Sequence, residues 1–401
     1  MNKILEDIRV LDHTHVWFGP WSTLMLAELG AEVIKIEPPW GALDRIPEGG
    51  GRMYGGVSPT FHHLNLNKKD IAIDLKNPKA LKIYKDLVKI SDVVVENFSP
   101  GTMKKMGLDY EELRKVKPDI IYASLSGFGQ TGPYSPRPSY AVIAEAMAGF
   151  ARAQGDSIDP NGPPRSMVGS FGDLAPGTMA AMSIIAAIRY RDKTGKGQWI
   201  DVAQTDCMVA YNTNITSYFV TGKNEIERRQ EQEEQRRQRA AAGGAVAAFS
   251  IGGIMKAKDG YIQVMAGRAK GLDALKQKLG VKDLDREAVL KVVENMTRDE
   301  AISFFTELDL PVAPILYASE ATRDPHVLSR NMFVEVEHPK AGKIKVVNFP
   351  VKLSETPGQV ISAAPLLGQN NKDILMNYLG YTEEEVVQLT KEGVIAAEKT
   401  S

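Results

Sequence analysis

Short, nearly continuous apolar runs alternate with helically spaced stretches through the first two hundred positions. IRVLDHTHV (8–16), AEVIKIE (31–37), DIAIDLK (70–76), DVVVEN (92–97) and IIYASLSG (120–127) are rich in β-branched residues. Runs of this kind fit strands covered on both faces. Between them, PWSTLMLAELG (20–30) and the stretch from Pro78 to Ile90 have the spacing of helices. Strand, helix and strand at these intervals predict an α/β fold built on a parallel, doubly wound sheet. APGTMAAMSIIAAIRY then predicts an apolar helix over Ala175–Tyr190, with Pro176 in the first turn, where a missing N–H costs little. TGKGQWIDVAQ (194–204) reads as a turn and one more strand.

The pattern changes near Thr221. Residues 225–245 mix charges of both signs with Gln and end in Ala and Gly, which predicts a solvated helix or a linker. Within it, the AAAGGA of 240–245 has the small residues of a mobile flap over a binding site. From about Phe249 a second unit begins, with a hairpin marked by Asp259-Gly260 and two helical patterns after it. FVEVEHPKAGKIKVVNFPVKL (333–353) predicts a further hairpin, and a closing helix is expected near Lys372–Leu379. These changes of character divide the chain into a large domain over 1–222, a linker and small α+β domain over 223–325, and a C-terminal segment over 326–401.

Composition narrows the chemistry. The 401 residues hold 49 Lys and Arg against 50 Asp and Glu, a net charge of -1, so no overall charge draws the chain to nucleic acid or to a membrane surface. A single cysteine, Cys207, excludes an internal disulfide, and no Cys/His spacing suggests a metal; both fit the reducing cytoplasm. Charges throughout the first twelve residues, and no apolar run approaching the length of a membrane span, argue against export or insertion.

The candidate motifs are few. GFGQTG (127–132) satisfies G-x-G-x-x-G, but the PYSPRP that follows forbids the helix that would hold a dinucleotide pyrophosphate, so a Pro/Gly-rich active-site loop is the better reading. HTH (13–15) and HH (62–63) lack the flanking carboxylates of a metal site and read as packing or loop histidines. No G-x-S-x-G elbow supports a serine hydrolase. In VGSFGDLAPGTMAAM (168–182) the lone acid Asp173 is either an N-cap of the helix after it or a nucleophile that the small neighbours leave approachable.

Several of these segments, in order, resemble the class III CoA-transferases of the formyl-CoA and carnitine type: IRVLDHTHVWFGPWSTLMLAELGAEVIKIEPP, ENFSPGTMKKMGLDYEEL, SLSGFGQTGPY, FGDLAPGTMAAM, RDKTGKGQWIDVAQTD, LPVAPILYASEATRDPHVLSRNMF and APLLGQNNKDILMNYLG. The likeness covers nearly the whole chain outside about 223–250. It implies a Rossmann-like large domain that holds both termini, an inserted small domain, and two subunits interlocked like links of a chain. Asp173 matches the family's catalytic aspartate, which forms an anhydride with the acyl group of a CoA thioester and then an aspartyl-CoA thioester. Backbone N–H groups of the Gly-rich surroundings would serve as an oxyanion hole. Val16, Trp17, Phe18, Leu75, Lys76, Asn97, Phe98, Lys105 and Arg137 match CoA-binding positions, and Tyr140 joins Trp17 and Phe18 around the acyl pocket. Coenzyme A enters as a thioester substrate, so the resemblance implies no cofactor and no metal.

This chain departs from formyl-CoA members in Trp17, where they carry Gln, and in Ser139-Tyr140-Ala141, where many read Gly-Tyr-Asp. Formyl transfer is therefore not expected. Together with the aromatic residues Trp17, Phe18 and Tyr140, a general similarity to the succinyl-CoA:benzylsuccinate CoA-transferase branch implies succinyl-CoA as donor and an aromatic or branched acid such as benzylsuccinate as acceptor. The alternatives are a non-catalytic partner in a heteromer with a paralogous subunit, and an α-methylacyl-CoA racemase, for which Pro138–Ala141 lacks the His that branch carries.

Overall fold

The computed structural model describes residues 3–47, 50–241 and 251–396. Two units divide it, Met1–Thr213 with Asn331–Ser401, and Asn214–Arg330. The sequence pattern had placed these boundaries at 222 and 325.

The larger unit is organised by a six-stranded sheet of β1 (Arg9–His13), β2 (Glu32–Glu37), β3 (Lys68–Ala72), β4 (Val93–Glu96), β5 (Ile121–Ser126) and β6 (Trp199–Ala203). The order is β3-β2-β1-β4-β5-β6 and every pairing is parallel. Successive side chains of each strand alternate between two apolar layers, which is why the strands read as unbroken apolar runs. Leu11, Ile34, Ile71, Val94 and Tyr122 face a layer made by the helix Pro78–Lys89, by Leu113 and by the C-terminal Ile374, Leu375 and Leu389. Val10, Val33, Val93, Val95 and Ile121 face the helices Phe18–Glu28 and Phe171–Thr194. The latter helix is long and apolar enough to cross a membrane, but Ala180, Ile184, Ala187 and Ile188 are packed against the sheet, so it is a core helix.

The C-terminal segment closes the outer edge of β3. Ala396 N–H donates to Ala72 O at 2.9 Å, and Gly368 N–H to Asp70 Oδ1 at 2.6 Å. A paired edge is protected from joining another chain. The hairpin of β10 (Phe333–His338) and β11 (Gly342–Val347) falls within the predicted stretch. Past the predicted closing helix, Thr382 begins a further helix, Glu383–Lys391, through a reciprocal capping box with Glu385. The smaller unit holds an antiparallel sheet of β7 (Gly253–Ala257), β8 (Gly260–Val264) and β9 (Val312–Ile315), with the β7–β8 turn at the expected Asp259-Gly260. Its core includes Met255, Ile262, Leu275, Val293 and Phe305. The charged stretch is helical over Glu225–Ala241. Apart from its first two positions, at the end of that helix, the proposed flap of 240–245 lies outside the described residues.

Buried charges sit where β1 ends. Lys68 Nζ, wholly buried on β3, donates to Asp12 Oδ2 at 2.8 Å, to Pro20 O at 3.0 Å and to Asn65 Oδ1 at 3.0 Å. Asp12 also accepts from the Thr23 hydroxyl at 2.7 Å and the Thr14 hydroxyl at 2.5 Å. Lys35 of β2 donates to Thr14 O at 2.9 Å. Burial works to raise the Asp12 pKa, but Lys68, Lys35 and these hydrogen bonds outweigh it and hold the carboxyl well below its ordinary range. Burial lowers Lys68 to about 8. At the end of β4, Glu96 accepts the Phe98 N–H at 2.9 Å, and burial pushes its pKa up to about 7 against the pull of that bond and of Ser124.

Two outcomes follow from these charges. Replacing Lys68 by Met leaves Asp12 buried without its ammonium partner, and urea unfolding should show a loss of about 3–5 kcal/mol. Glu96 titrates higher in the folded chain, about 7, than its ordinary 4.5, so its contribution to stability is present below the lower value and lost as pH rises through the higher one. The Glu96→Gln variant should therefore gain stability over the parent between pH 5 and pH 8, on the order of 2 kcal/mol, in unfolding curves at the two pH values.

Candidate functional site

At β1 the chain first winds outward through β2 and β3, then crosses back to add β4 on the other side. A crevice forms at the carboxyl ends of strands at such a reversal, and ligands of open α/β sheets bind there. A cavity of about 270 Å³ lies at this point. Residues 15–18 line it after β1, Asn97 and Phe98 after β4, and Ser126 and Gly127 at the end of β5. Ser139 and Tyr140 add one wall, and Asp173 and Gln204 another.

The two loops at the reversal are joined reciprocally. His15 N–H donates to Asn97 Oδ1 at 3.0 Å, and Asn97 Nδ2 returns a bond to His15 O at 2.8 Å. Val16 between them has φ of 68°, a left-handed conformation that costs a β-branched residue about 1–3 kcal/mol and is therefore held by its surroundings. Burial and the nearby Lys35 lower the pKa of His15, which keeps the imidazole neutral around pH 7. Four other histidines pack against rings, His13 edge-on to Phe98 at 4.6 Å, His62 against His338 at 4.7 Å and His63 stacked on Trp21 at 5.7 Å, while His326 is exposed. Among the described residues no group of three or more His, Cys, Asp or Glu could hold a metal ion.

The helix carrying Asp173 starts at Phe171, four residues earlier than the apolar pattern predicted, and Pro176 lies inside it. Asp173 is thus the third residue of the helix and not its cap; that position belongs to Ser170, which is left-handed at φ 52° and makes no side-chain cap bond. The Asp173 carboxylate, 7% exposed, instead accepts a hydrogen bond from Gln204 Nε2 at 2.5 Å. The glycine before it does not provide open space. A Cβ on Gly172 would come within 2.5 Å of Ala141 O, so this glycine lets the helix Ala141–Met147 pack against the start of the Asp173 helix. Glu145 of that neighbouring helix accepts the Gly172 N–H at 2.8 Å and fixes the turn from below.

Of the residues named from sequence, Val16, Trp17, Phe18, Asn97, Phe98, Tyr140 and Asp173 come together around the cavity. Four others do not line it. Leu75 packs against the core, and Lys76 is exposed, with its ammonium 5.8 Å from the Trp40 ring. Lys105 is exposed at the end of a short helix whose first residue, Thr102, does line the cavity. Arg137 is exposed and lies over the Tyr134 ring at 3.6 Å. All four follow the carboxyl ends of β3, β4 or β5, the same edge of the sheet as the cavity. No helix follows Gly127–Gly132 before Ala141, as the prolines required.

Sequence reasoning missed Gln204, and it takes His15, within HTH (13–15), for a packing or loop histidine, whereas His15 lines the cavity. Gln204 is the first residue of the helix Gln204–Tyr211, directly after β6, and its position at a strand's carboxyl end was the one available signal. Among the described residues lining the cavity, Asp173 is the one carboxylate, and there is no Lys or Arg. A single buried acid, a side-chain amide on it and a cavity beside it can support attack on an electrophilic carbonyl.

The chain matches CoA-transferase family III over residues 5–371. It is 34% identical over 420 residues to a human protein named succinyl-CoA:glutarate CoA-transferase, spanning 100% of this chain and 92% of that protein. It is 33% identical over 401 residues to succinyl-CoA–D-citramalate CoA-transferase of Chloroflexus aurantiacus, spanning 98% of each. The crystal structure of a CAIB/BAIF family protein from Brucella suis superposes with a TM-score of 0.78 at 25% identity, covering 94% of this chain and all of that one. With its parallel six-stranded sheet and a match across nearly its full length, the chain belongs to CoA-transferase family III and is an enzyme of that class.

Proposed function

We propose that this enzyme moves CoA from succinyl-CoA to a carboxylic acid, with Asp173 as the covalent nucleophile. The observation that carries the reading is the placement of Asp173, a nearly buried carboxylate at the edge of a cavity located where the sheet reverses. An Asp173 carboxylate oxygen attacks the thioester carbon, the C–S bond breaks, and CoA thiolate leaves an aspartyl–succinyl anhydride. The thiolate then attacks the aspartyl carbonyl and expels succinate, giving an aspartyl-CoA thioester. The acceptor carboxylate enters by the reverse sequence. Each step exchanges one activated acyl state for another, so the scheme needs neither a redox group nor a metal.

For the acceptor we favour a short dicarboxylic acid, because both named relatives pair succinyl-CoA with one, glutarate or D-citramalate. A second reading, an aromatic succinate such as benzylsuccinate, is favoured by the rings of Trp17, Phe18 and Tyr140 on the cavity wall. Leu75, Lys76, Lys105 and Arg137 would contact the outer parts of CoA, where cations suit phosphates. Residues Met182 and Tyr190, exposed on the Asp173 helix, support association with a second subunit, either an identical chain interlocked with the first or a paralogue. The free, buried Cys207 fits an enzyme of the cytoplasm.

Incubation with succinyl-CoA followed by hydroxylamine should modify Asp173, and Asp173→Ala should lower turnover at least about 10⁴-fold, as loss of a nucleophile does elsewhere. Full activity in that variant would refute the covalent route. In an acceptor screen, glutarate or citramalate should exceed benzylsuccinate in kcat/KM by at least about tenfold, a difference of 1.4 kcal/mol in transition-state binding; the opposite order would establish the aromatic reading.

A further inference from the structure

Gln204 makes a buried hydrogen bond to Asp173. Its Nε2 lies 2.5 Å from Asp173 Oδ1, and both residues are buried, at 4% and 7% exposure. The position of Gln204 is enforced from two sides. Its chain neighbour Thr205 clamps Gly127 O with both its N–H, at 3.0 Å, and its hydroxyl, at 2.8 Å, so the first turn of the helix Gln204–Tyr211 is fixed to the loop after β5. The same loop holds Ser139 so tightly that a Cβ on Gly127 would fall 2.1 Å from the Ser139 Cβ. Ser139 in turn points its hydroxyl at Gln204 Oε1, a long contact of 3.5 Å. An ionised carboxylate only accepts, so Asp173 itself selects the orientation in which the amide N–H₂ faces it.

We propose that Gln204 is a catalytic residue, the oxyanion donor for the aspartyl carbonyl. The inference rests on Asp173 acting as the nucleophile. Attack on the succinyl thioester by Oδ2 makes that atom the bridging oxygen of the anhydride and leaves Oδ1 on the Gln204 amide. Oδ1 is then the carbonyl oxygen of the aspartyl half. When CoA thiolate adds to Asp173 Cγ, the carbonyl electron pair moves onto Oδ1, where the Gln204 N–H already lies. Collapse of the tetrahedral intermediate breaks the bond between Cγ and the bridging oxygen, and succinate leaves with that electron pair. No proton is gained or lost. A donor placed before the charge develops needs no reorganisation during the step, and loss of one such side-chain donor lowers turnover about 10²–10³-fold.

The test is rapid mixing of enzyme with succinyl-CoA in the absence of acceptor, with the CoA adduct on the Asp173 peptide followed by mass spectrometry. Gln204→Leu, close in volume, should form the adduct about 10²–10³-fold more slowly than the parent, with KM for succinyl-CoA changed less than about threefold. Gln204→Glu supplies a donor only when the two acids share one proton, so its rate should climb towards the parental value as pH falls, while Gln204→Leu shows no such climb. Adduct formation at the parental rate in Gln204→Leu would overturn the assignment, and so would a Gln204→Glu profile parallel to that of the parent. Should Gln204→Leu fail to fold, the profile of Gln204→Glu decides by itself. Absence of any adduct in the parent would instead refute Asp173 as nucleophile, a failure visible before either variant is compared.

Discussion

The site depends on the ion pair between Asp12 and Lys68. Asp12 stands at the end of the strand where the sheet reverses, and it collects the ammonium of Lys68 and the hydroxyls of Thr14 and Thr23. Lys35 adds a bond to the carbonyl of Thr14 from the adjacent strand. Side chains from three neighbouring strands thereby fix the first residues of the turn that continues through His15, Val16 and Trp17. Two wholly buried charges are costly to desolvate, and only near-complete hydrogen bonding makes such a pair tolerable. The benefit is geometric. The turn is held rigidly enough to keep Val16 in a left-handed conformation at the cavity wall.

The opposite wall is built by close backbone approach. Gly172 lets one helix touch the start of another, Glu145 caps the amide there, and Asp173 follows with its carboxylate directed at Gln204. The proposed nucleophile therefore sits on a helix that is also a principal element of the core, packed on the sheet through Ala180, Ile184 and Ala187. A reactive group on a rigid element is positioned more accurately than one on a loop. The cavity between the walls carries a neutral histidine and no cation among its described lining residues, an environment in which an amide donor close to a developing oxyanion acts strongly.

How legible this was differs by residue. The strands of the parallel sheet could be read because both of their faces are buried, and the hairpin at Asp259-Gly260 because the turn chemistry is local. The helix Glu383–Lys391 announces itself by a capping box that passes unnoticed behind the more apolar stretch before it. The start of the Asp173 helix was misplaced because Gly172 and Pro176 oppose helix formation, and contacts with the helix Ala141–Met147 override that local preference. Asp173 itself, and the aromatic residues after β1, were named from family likeness. On bare sequence a cap and a nucleophile could not be separated.

What the sequence determined by itself is the class of the molecule: alternating apolar runs that can be buried only as a parallel sheet between helices, and an ordered set of motifs that few folds share. Those signals are local, because burial on two faces and turn chemistry are written in adjacent residues. The tertiary structure alone decided the working contacts. Gln204 is separated from Asp173 by 31 positions, and Asn97 from His15 by 82, and each pair meets because the parallel sheet brings the carboxyl ends of distant strands to one edge. No periodicity encodes such a meeting, since it depends on strand order and not on the residues beside each member of the pair.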